Sequence, residues 1–175
     1  LFLPHFKALP HQNGNTNSLV CPFVQGETFY LQTTFREKLD QLKAQGMQVL
    51  TPLLDLTQGI ECARQPLVEM AVSVGETRKD AEKAFGKALT RQTDCFREMK
   101  ALGRQALADL EKDPEKVGIV ILSRPYNGLV EEAHMGIPRK LASRGVKVIP
   151  LDFISIDNVK PRRHMYWGMG QIILM

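Results

Sequence analysis

The chain has 175 residues, of which 43% are hydrophobic and 24% are charged, a composition typical of one globular domain of ordinary size. Its formal net charge is +4 and the basic excess is spread along the chain, so we expect no nucleic-acid partner. No stretch approaches the roughly 18 consecutive apolar residues of a membrane span. The composition therefore excludes disordered and collagen-like chains, and we expect no membrane partner.

The first half of the chain alternates short apolar runs with helical patterns. Residues 1–4 predict a strand. From about residue 26 to 45, apolar side chains recur at intervals of three and four, which predicts a helix, and Gly46 stands where a glycine ends many helices. Residues 47–50 predict a second strand, and Pro66 suits the first turn of a helix that runs to about residue 74.

The second half opens with a long helical pattern. Over about residues 76–110, apolar side chains that include Phe85, Cys95 and Phe96 form one stripe, which predicts a long amphipathic helix. Residues 117–122 are apolar and rich in β-branched side chains, as is typical of a central parallel strand buried on both faces. Helices between about 130 and 143, a strand at 146–151 and a helix from about 162 complete the prediction.

The two halves share an order of elements: strand, proline-containing loop, helix, glycine, strand. KAQGMQVLTPLLD at 43–55 resembles ASRGVKVIPLD at 142–152, which fits either a duplication or the shared chemistry of helix-to-strand loops. The pattern predicts an α/β fold: a parallel sheet built from two βαβ units with helices on both faces, plus one long amphipathic helix.

Both ends of the chain stop within apolar runs. We therefore expect residues 1–175 to be a single α/β domain or part-domain, a fragment of a longer multidomain chain.

Three cysteines, Cys21, Cys62 and Cys95, offer neither a CxxC pair nor an even-numbered disulfide framework, and we expect a cytoplasmic protein. Cys21 precedes Pro22 on a loop that leads into a helix N-terminus, where the helix dipole favours a thiolate suited to iron–sulfur or zinc. The alternative is a buried cysteine that fills space. Cys62 lies at a predicted strand-to-helix junction and could converge on Cys21, whereas Cys95 belongs to the apolar stripe and is predicted to lie in the core.

A second candidate site is the loop SRPYNG at 123–128, which follows a predicted strand. Ligands bind beyond the carboxyl ends of the strands in an open parallel sheet, so we expect this loop and the Cys21 loop at one edge. Arg124 could bind a phosphate or carboxylate, Tyr126 could donate a hydrogen bond, and Asn127 begins an Asn-Gly turn pair. The alternative is a structural corner in which Arg124 pairs with a neighbouring carboxylate.

No nucleotide motif is present. GMG at 168–170 lacks the third glycine of a dinucleotide fingerprint, and GK at 86–87 lacks the upstream glycine of a P-loop. The four histidines have no metal-ligand spacing. We expect no nucleotide to be bound by this part of the chain.

Several runs in order resemble the large acyl-CoA dehydratase activase-related proteins, in which a domain like the 2-hydroxyglutaryl-CoA dehydratase component is fused behind ATPase activase modules. These runs are FLP at 2–4, CPFVQG at 21–26, IVILSRPYN at 119–127, GIP at 136–138, GVKVIP at 145–150 and YWGMGQ at 166–171. The resemblance covers nearly the whole chain. It departs from the family pattern at Ser123, where the family usually has glycine before Arg-Pro-Tyr-Asn.

The resemblance implies a domain of an ATP-coupled iron–sulfur protein related to 2-hydroxyacyl-CoA dehydratase activation, taking part in low-potential electron transfer in anaerobic metabolism. It implies that Cys21 is the best candidate ligand of a 4Fe-4S cluster, with Cys62 a weaker one. In this hypothesis Arg124, Tyr126 and Asn127 shape the adjoining ligand crevice. The implied partners are activase ATPase modules on the same or another chain, and a dehydratase-like acceptor. Three cysteines cannot supply four thiolates, so another segment, another subunit or a ligand other than cysteine has to complete such a cluster.

Two other functions fit the sequence. The first is a non-catalytic docking or scaffold domain between the activase and its acceptor. The second is a small-molecule phosphate-binding enzyme that uses Arg124.

Overall fold

The computed structural model describes residues 1–10, 18–123 and 125–155. They fall into two compact units, the first ending at Thr90 and the second beginning at Arg91. Within these described ranges, no helix combines the length and the apolar character that a membrane crossing requires.

The first unit contains a two-stranded parallel sheet. Its strands pair from His5 opposite Leu53 to Ala8 opposite Asp55. The elements of this part of the chain are β1 (His5–Ala8), α1 (Pro22–Thr34), α2 (Arg36–Ala44), β2 (Leu53–Asp55), a 3-10 helix (Ile60–Ala63) and α3 (Arg64–Ser73).

The strands lie a few residues later than predicted. The runs 1–4 and 47–50 contribute only an isolated parallel bridge between Phe2 and Leu50. Backbone hydrogen bonds continue past that bridge, since the His5 N–H donates to the Pro52 carbonyl at 2.9 Å. Pro4 and Pro52 have no N–H to donate, so they interrupt the ladder, and regular strands form only beyond them.

The predicted helix over 26–45 is two helices that meet at Phe35, whose ψ of 24° departs from helical geometry. The Thr33 hydroxyl donates a hydrogen bond to the Phe29 carbonyl, one turn earlier, at 2.8 Å. Such bonds often bend helices. The second helix ends as predicted, because Gly46 has φ +90° just after the last turn.

A small core lies under the sheet of the first unit. Leu54 and Leu56 are buried with Ala63, and the residues that pack against them are Phe6, Leu67 and Phe85. Thr28 of α1 is only 4% exposed, and its hydroxyl donates to the Pro4 carbonyl at 3.1 Å. This bond holds α1 against the chain that enters β1.

The second unit has its own two-stranded parallel sheet, paired from Gly118 opposite Lys147 to Ile121 opposite Pro150. Its elements are β3 (Gly118–Ile121), α5 (Pro125–Gly128), α6 (Glu131–His134), α7 (Ile137–Ala142), β4 (Lys147–Pro150) and a 3-10 helix (Leu151–Phe153). A mixed helix-and-strand fold with parallel pairing is therefore confirmed. The prediction of one sheet is wrong for the described residues, whose strands form two separate pairs.

Strand β3 is not buried on both faces as its composition predicts. Its residues alternate between exposed and half-buried, and among the described strands it pairs with β4 alone. An apolar, β-branched composition indicates that a segment can form a strand. It does not determine how many other strands pair with that segment or whether both of its faces are buried.

The long helix α4 (Arg78–Glu111) spans 34 residues, close to the predicted 76–110. Thr77 accepts from the Asp80 N–H at 3.1 Å, which fixes the start of the helix. The predicted stripe is only partly covered: Ala81 is buried, but Phe96 and Leu102 are 53% and 62% exposed. Cys95 is also exposed, so its predicted place in the core is wrong. The predicted helix from about residue 162 lies outside the described residues.

Candidate functional site

Cys21 occupies the N-cap position of α1, with Pro22 as the first helical residue. Its place at a helix start is as predicted. The side chain is half-buried and makes no capping hydrogen bond. Just before it, the Val20 N–H donates to the Lys7 carbonyl at 3.1 Å, so the backbone that precedes the thiol is attached to β1.

Gln25 fastens the same segment from the other side. Its side-chain amide donates to the Val20 carbonyl at 2.7 Å, and its backbone N–H donates to the Cys21 carbonyl at 3.0 Å. The peptide units on both sides of Cys21 are therefore held by hydrogen bonds.

Cys62 lies in the 3-10 helix that connects β2 to α3, and it is exposed. Its N–H donates to the Gly59 carbonyl at 3.1 Å, and Gly59 has φ +117°, a conformation that favours glycine. In sequence, Cys21 follows β1 and Cys62 follows β2. The segment before Cys21 turns back along β1, because Leu19 forms an antiparallel bridge with Ala8 and the Val20 N–H donates to the Lys7 carbonyl.

Arg64 anchors the segment that carries Cys62. Its guanidinium donates to Glu61 and, at 3.0 Å, to Glu82 of α4, and it lies over the Phe85 ring at 4.6 Å from the centroid. The hydrogen bonds that Arg64 donates to Glu82 and then to Glu61 raise the pKa of its guanidinium. The start of α3 is thereby joined to α4.

A charged network that the sequence analysis missed lies on the same two strands. Lys7 Nζ is 2.8 Å from Asp55 Oδ2, and the Thr57 N–H and hydroxyl also donate to Asp55, at 3.2 Å and 2.5 Å. Donation by Lys7, and then by Thr57, lowers the pKa of Asp55 to about 2. Two features of the sequence point to this network: a lysine inside the apolar run HFKA, and a threonine two positions after the aspartate.

A complete metal site does not fit within the described residues. No three His, Cys, Asp or Glu side chains there gather as a metal ion requires. Cys95 lies on α4 beyond Arg91, in the second unit, whereas Cys21 and Cys62 belong to the first. A 4Fe-4S cluster needs four ligands, and these two cysteines supply at most half of them.

The second candidate loop follows β3. Arg124 lies outside the described residues, as does the side chain of Tyr126. Asn127 is exposed, and its backbone belongs to the helical turn α5 and not to a separate turn pair. Since β3 belongs to a different sheet from β1, the expectation that both loops share one edge is wrong. A role for Arg124, Tyr126 and Asn127 in a ligand crevice stays a prediction.

A cavity of about 530 Å³ lies in the second unit. Its lining includes Leu110 at the end of α4 and Val146 just before β4. The cavity therefore lies at the amino ends of β3 and β4, away from the loop that follows β3. It gives no support to a phosphate site at Arg124.

Comparison with known proteins gives one match. The family model described as "CoA enzyme activase uncharacterised domain (DUF2229)" matches residues 1–154. No curated protein and no solved structure matches the chain. The matched range contains both β1 and β2 with Cys21 and Cys62, and the loop after β3.

Proposed function

The chain belongs to the CoA enzyme activase domain family, and we propose that it is a domain of an ATP-coupled iron–sulfur protein that helps to activate 2-hydroxyacyl-CoA dehydratases by low-potential electron transfer. The observation that carries this proposal is the placement of Cys21 and Cys62. Each follows one strand of the parallel pair β1 and β2 in sequence, and both belong to the first unit. The proposed partners are activase ATPase modules and a dehydratase-like acceptor.

In this proposal Cys21 and Cys62 contribute two thiolates to a site that another segment or subunit completes. Cysteine-bound iron–sulfur clusters supply one-electron chemistry at low potential. The state of the two thiols supports a shared site: both are free, and neither is fully buried. Thiols that only filled space in a core would be inaccessible to a second polypeptide.

The test is the iron content and visible absorbance of the full-length protein purified without oxygen. We expect bound iron in the wild type, loss of most of it in Cys21→Ala and Cys62→Ala, and no loss in the matched control Cys95→Ala. Cys95 is an exposed thiol like Cys62 but lies in the second unit. A wild type without iron, or a Cys21→Ala variant that keeps its iron and absorbance, would overturn the proposal.

A docking domain without a cofactor is the second candidate. It is favoured by the outer face of α1, where Phe23 and Tyr30 lie two turns apart and are 88% and 68% exposed. Large exposed aromatic side chains are enriched at protein interfaces. This candidate predicts that Phe23→Ala weakens binding to the activase while every cysteine variant binds as tightly as the wild type.

A further inference from the structure

We infer that Gln25 is the positioning residue for the Cys21 thiol. Its side-chain amide donates to the Val20 carbonyl at 2.7 Å, and its N–H donates to the Cys21 carbonyl at 3.0 Å. The second bond is the first of the α1 helix ladder and does not depend on the side chain, so the contact specific to Gln25 is the one to Val20. The inference rests on the proposed function in one respect: that function supplies the ligand that the Cys21 thiol would bind.

The need for such a residue follows from the position of Cys21. An N-cap is usually Ser, Thr, Asp or Asn, because a side-chain oxygen accepts an N–H of the first turn and fixes the helix start. Sulfur is a weak acceptor, and the Cys21 side chain makes no such bond. The start of α1 has to be held by something else.

Gln25 meets this need from inside the helix. Its bond to Val20 crosses the N-cap from the first turn back to the residue before it, and Val20 is itself bonded to Lys7 of β1. Pro22 adds rigidity, since its ring fixes φ at the first helical position. The helix start is thus joined to the sheet while the thiol stays free of capping.

The experiment uses the full-length protein with Gln25→Leu, which keeps the bulk of the side chain and removes its donor. The matched control is Gln32→Leu. Gln32 lies two turns along the same helix, and its amide makes a similar bond, to the Thr28 carbonyl at 3.2 Å. A third variant, Gln25→Lys, restores a donor at similar reach.

The measurement is the rate at which iodoacetamide alkylates Cys21 relative to Cys62, resolved by peptide mass spectrometry after iron is removed. We expect Gln25→Leu to raise this ratio about fivefold, the factor that loss of one hydrogen bond brings, because the half-buried thiol is released. Gln32→Leu should match the wild type, and Gln25→Lys should restore most of the protection. The melting temperatures of the two leucine variants should agree.

An unchanged ratio in Gln25→Leu would overturn the inference. So would a rise shared with Gln32→Leu, or one that Gln25→Lys does not reverse, because either result indicates general loosening of α1. The proposed function fails separately: if the wild type binds no iron, the alkylation ratio still reports whether Gln25 holds Cys21. If the wild type binds iron, Gln25→Leu should lose part of it and Gln32→Leu should not.

Discussion

Lys7 Nζ lies 2.8 Å from Asp55 Oδ2, and this ion pair joins the ends of the two parallel strands that lead to Cys21 and Cys62. The Lys7 carbonyl also accepts from the Val20 N–H at 3.1 Å. One residue of β1 therefore contacts both β2 and the segment before Cys21. This edge of the sheet is held by side-chain and backbone contacts together.

The ion pair makes stability depend on pH in a defined window. The pKa of Asp55 is about 2 in the folded protein against an ordinary value of 3.8. The carboxylate thus stabilises the fold above about pH 4, and this stabilisation is lost as the pH falls towards 2. Both side chains are more than a third exposed, so we expect no more than about 1 kcal/mol.

Urea unfolding of wild type and Asp55→Asn between pH 2 and 6 checks this prediction. The free energies of unfolding should differ at pH 6 and converge near pH 2. The control is Asp40→Asn, which removes an exposed pair with Lys43 within α2 and should change little. A difference between wild type and Asp55→Asn that does not depend on pH would contradict the role given to the Asp55 carboxylate.

Thr28→Val should destabilise the first unit. The change keeps the shape of a side chain that is 4% exposed, but removes its bond to the Pro4 carbonyl and leaves that acceptor without its donor. The expected cost is about 1–3 kcal/mol. On the same helix, Thr33→Val removes an exposed bond to Phe29 and should cost much less. Chemical unfolding followed by circular dichroism measures both, and equal costs would contradict the prediction.

Two glycines of α4 should respond to alanine in opposite directions. A Cβ at Gly103 would overlap the Phe153 carbonyl, whereas a Cβ at Gly86 meets nothing within 4 Å. Gly86→Ala should stabilise by about 0.5–1 kcal/mol through helix propensity. Gly103→Ala should destabilise by about 1–3 kcal/mol through overpacking. A melting temperature that rises in Gly103→Ala as well as in Gly86→Ala would show that the Gly103 contact is not tight.

Arg64→Lys should loosen the segment that carries Cys62. Lysine keeps the charge but loses the forked contacts to Glu61 and Glu82 and the stacking on Phe85. We expect faster hydrogen exchange in residues 60–64, with the wild-type rate kept in α1. Arg97→Lys is the control, because Arg97 forms an exposed pair with Asp94 on its own helix. Wild-type exchange at residues 60–64 in Arg64→Lys would contradict the anchoring role.

The sequence predicted the helices better than the strands, for physical reasons. Gly46 ends its helix as predicted, since a left-handed backbone after a periodic stretch is a local property. Strands β1 and β2 have four and three residues, too few to show an alternating pattern. Where their regular ladder begins depends on Pro4 and Pro52, which lie far apart in the sequence. The apolar stripe predicts Cys95 in the core, but the cysteine is exposed, because a helical stripe shows which face is apolar without showing what covers it.

Around the candidate site, too, local features could be predicted from the sequence and long-range contacts could not. The local pattern Cys-Pro before a helix was enough to find the position of Cys21. The contacts that Lys7 makes with Asp55, 48 residues away, depend on the register of two strands and could not be read from either segment alone. Gln25 was part of the run CPFVQG, but its bond to Val20 requires the geometry of the helix start.

The central claim, electron transfer that depends on Cys21, is tested most directly by stopped-flow absorbance without oxygen. Full-length protein is mixed with reduced activase and ATP, and its visible absorbance is followed. We predict a loss of absorbance that requires ATP hydrolysis, that Cys21→Ala abolishes and that Cys95→Ala leaves intact. An absorbance that ATP does not change, or a Cys21→Ala variant that is reduced like the wild type, would contradict the claim.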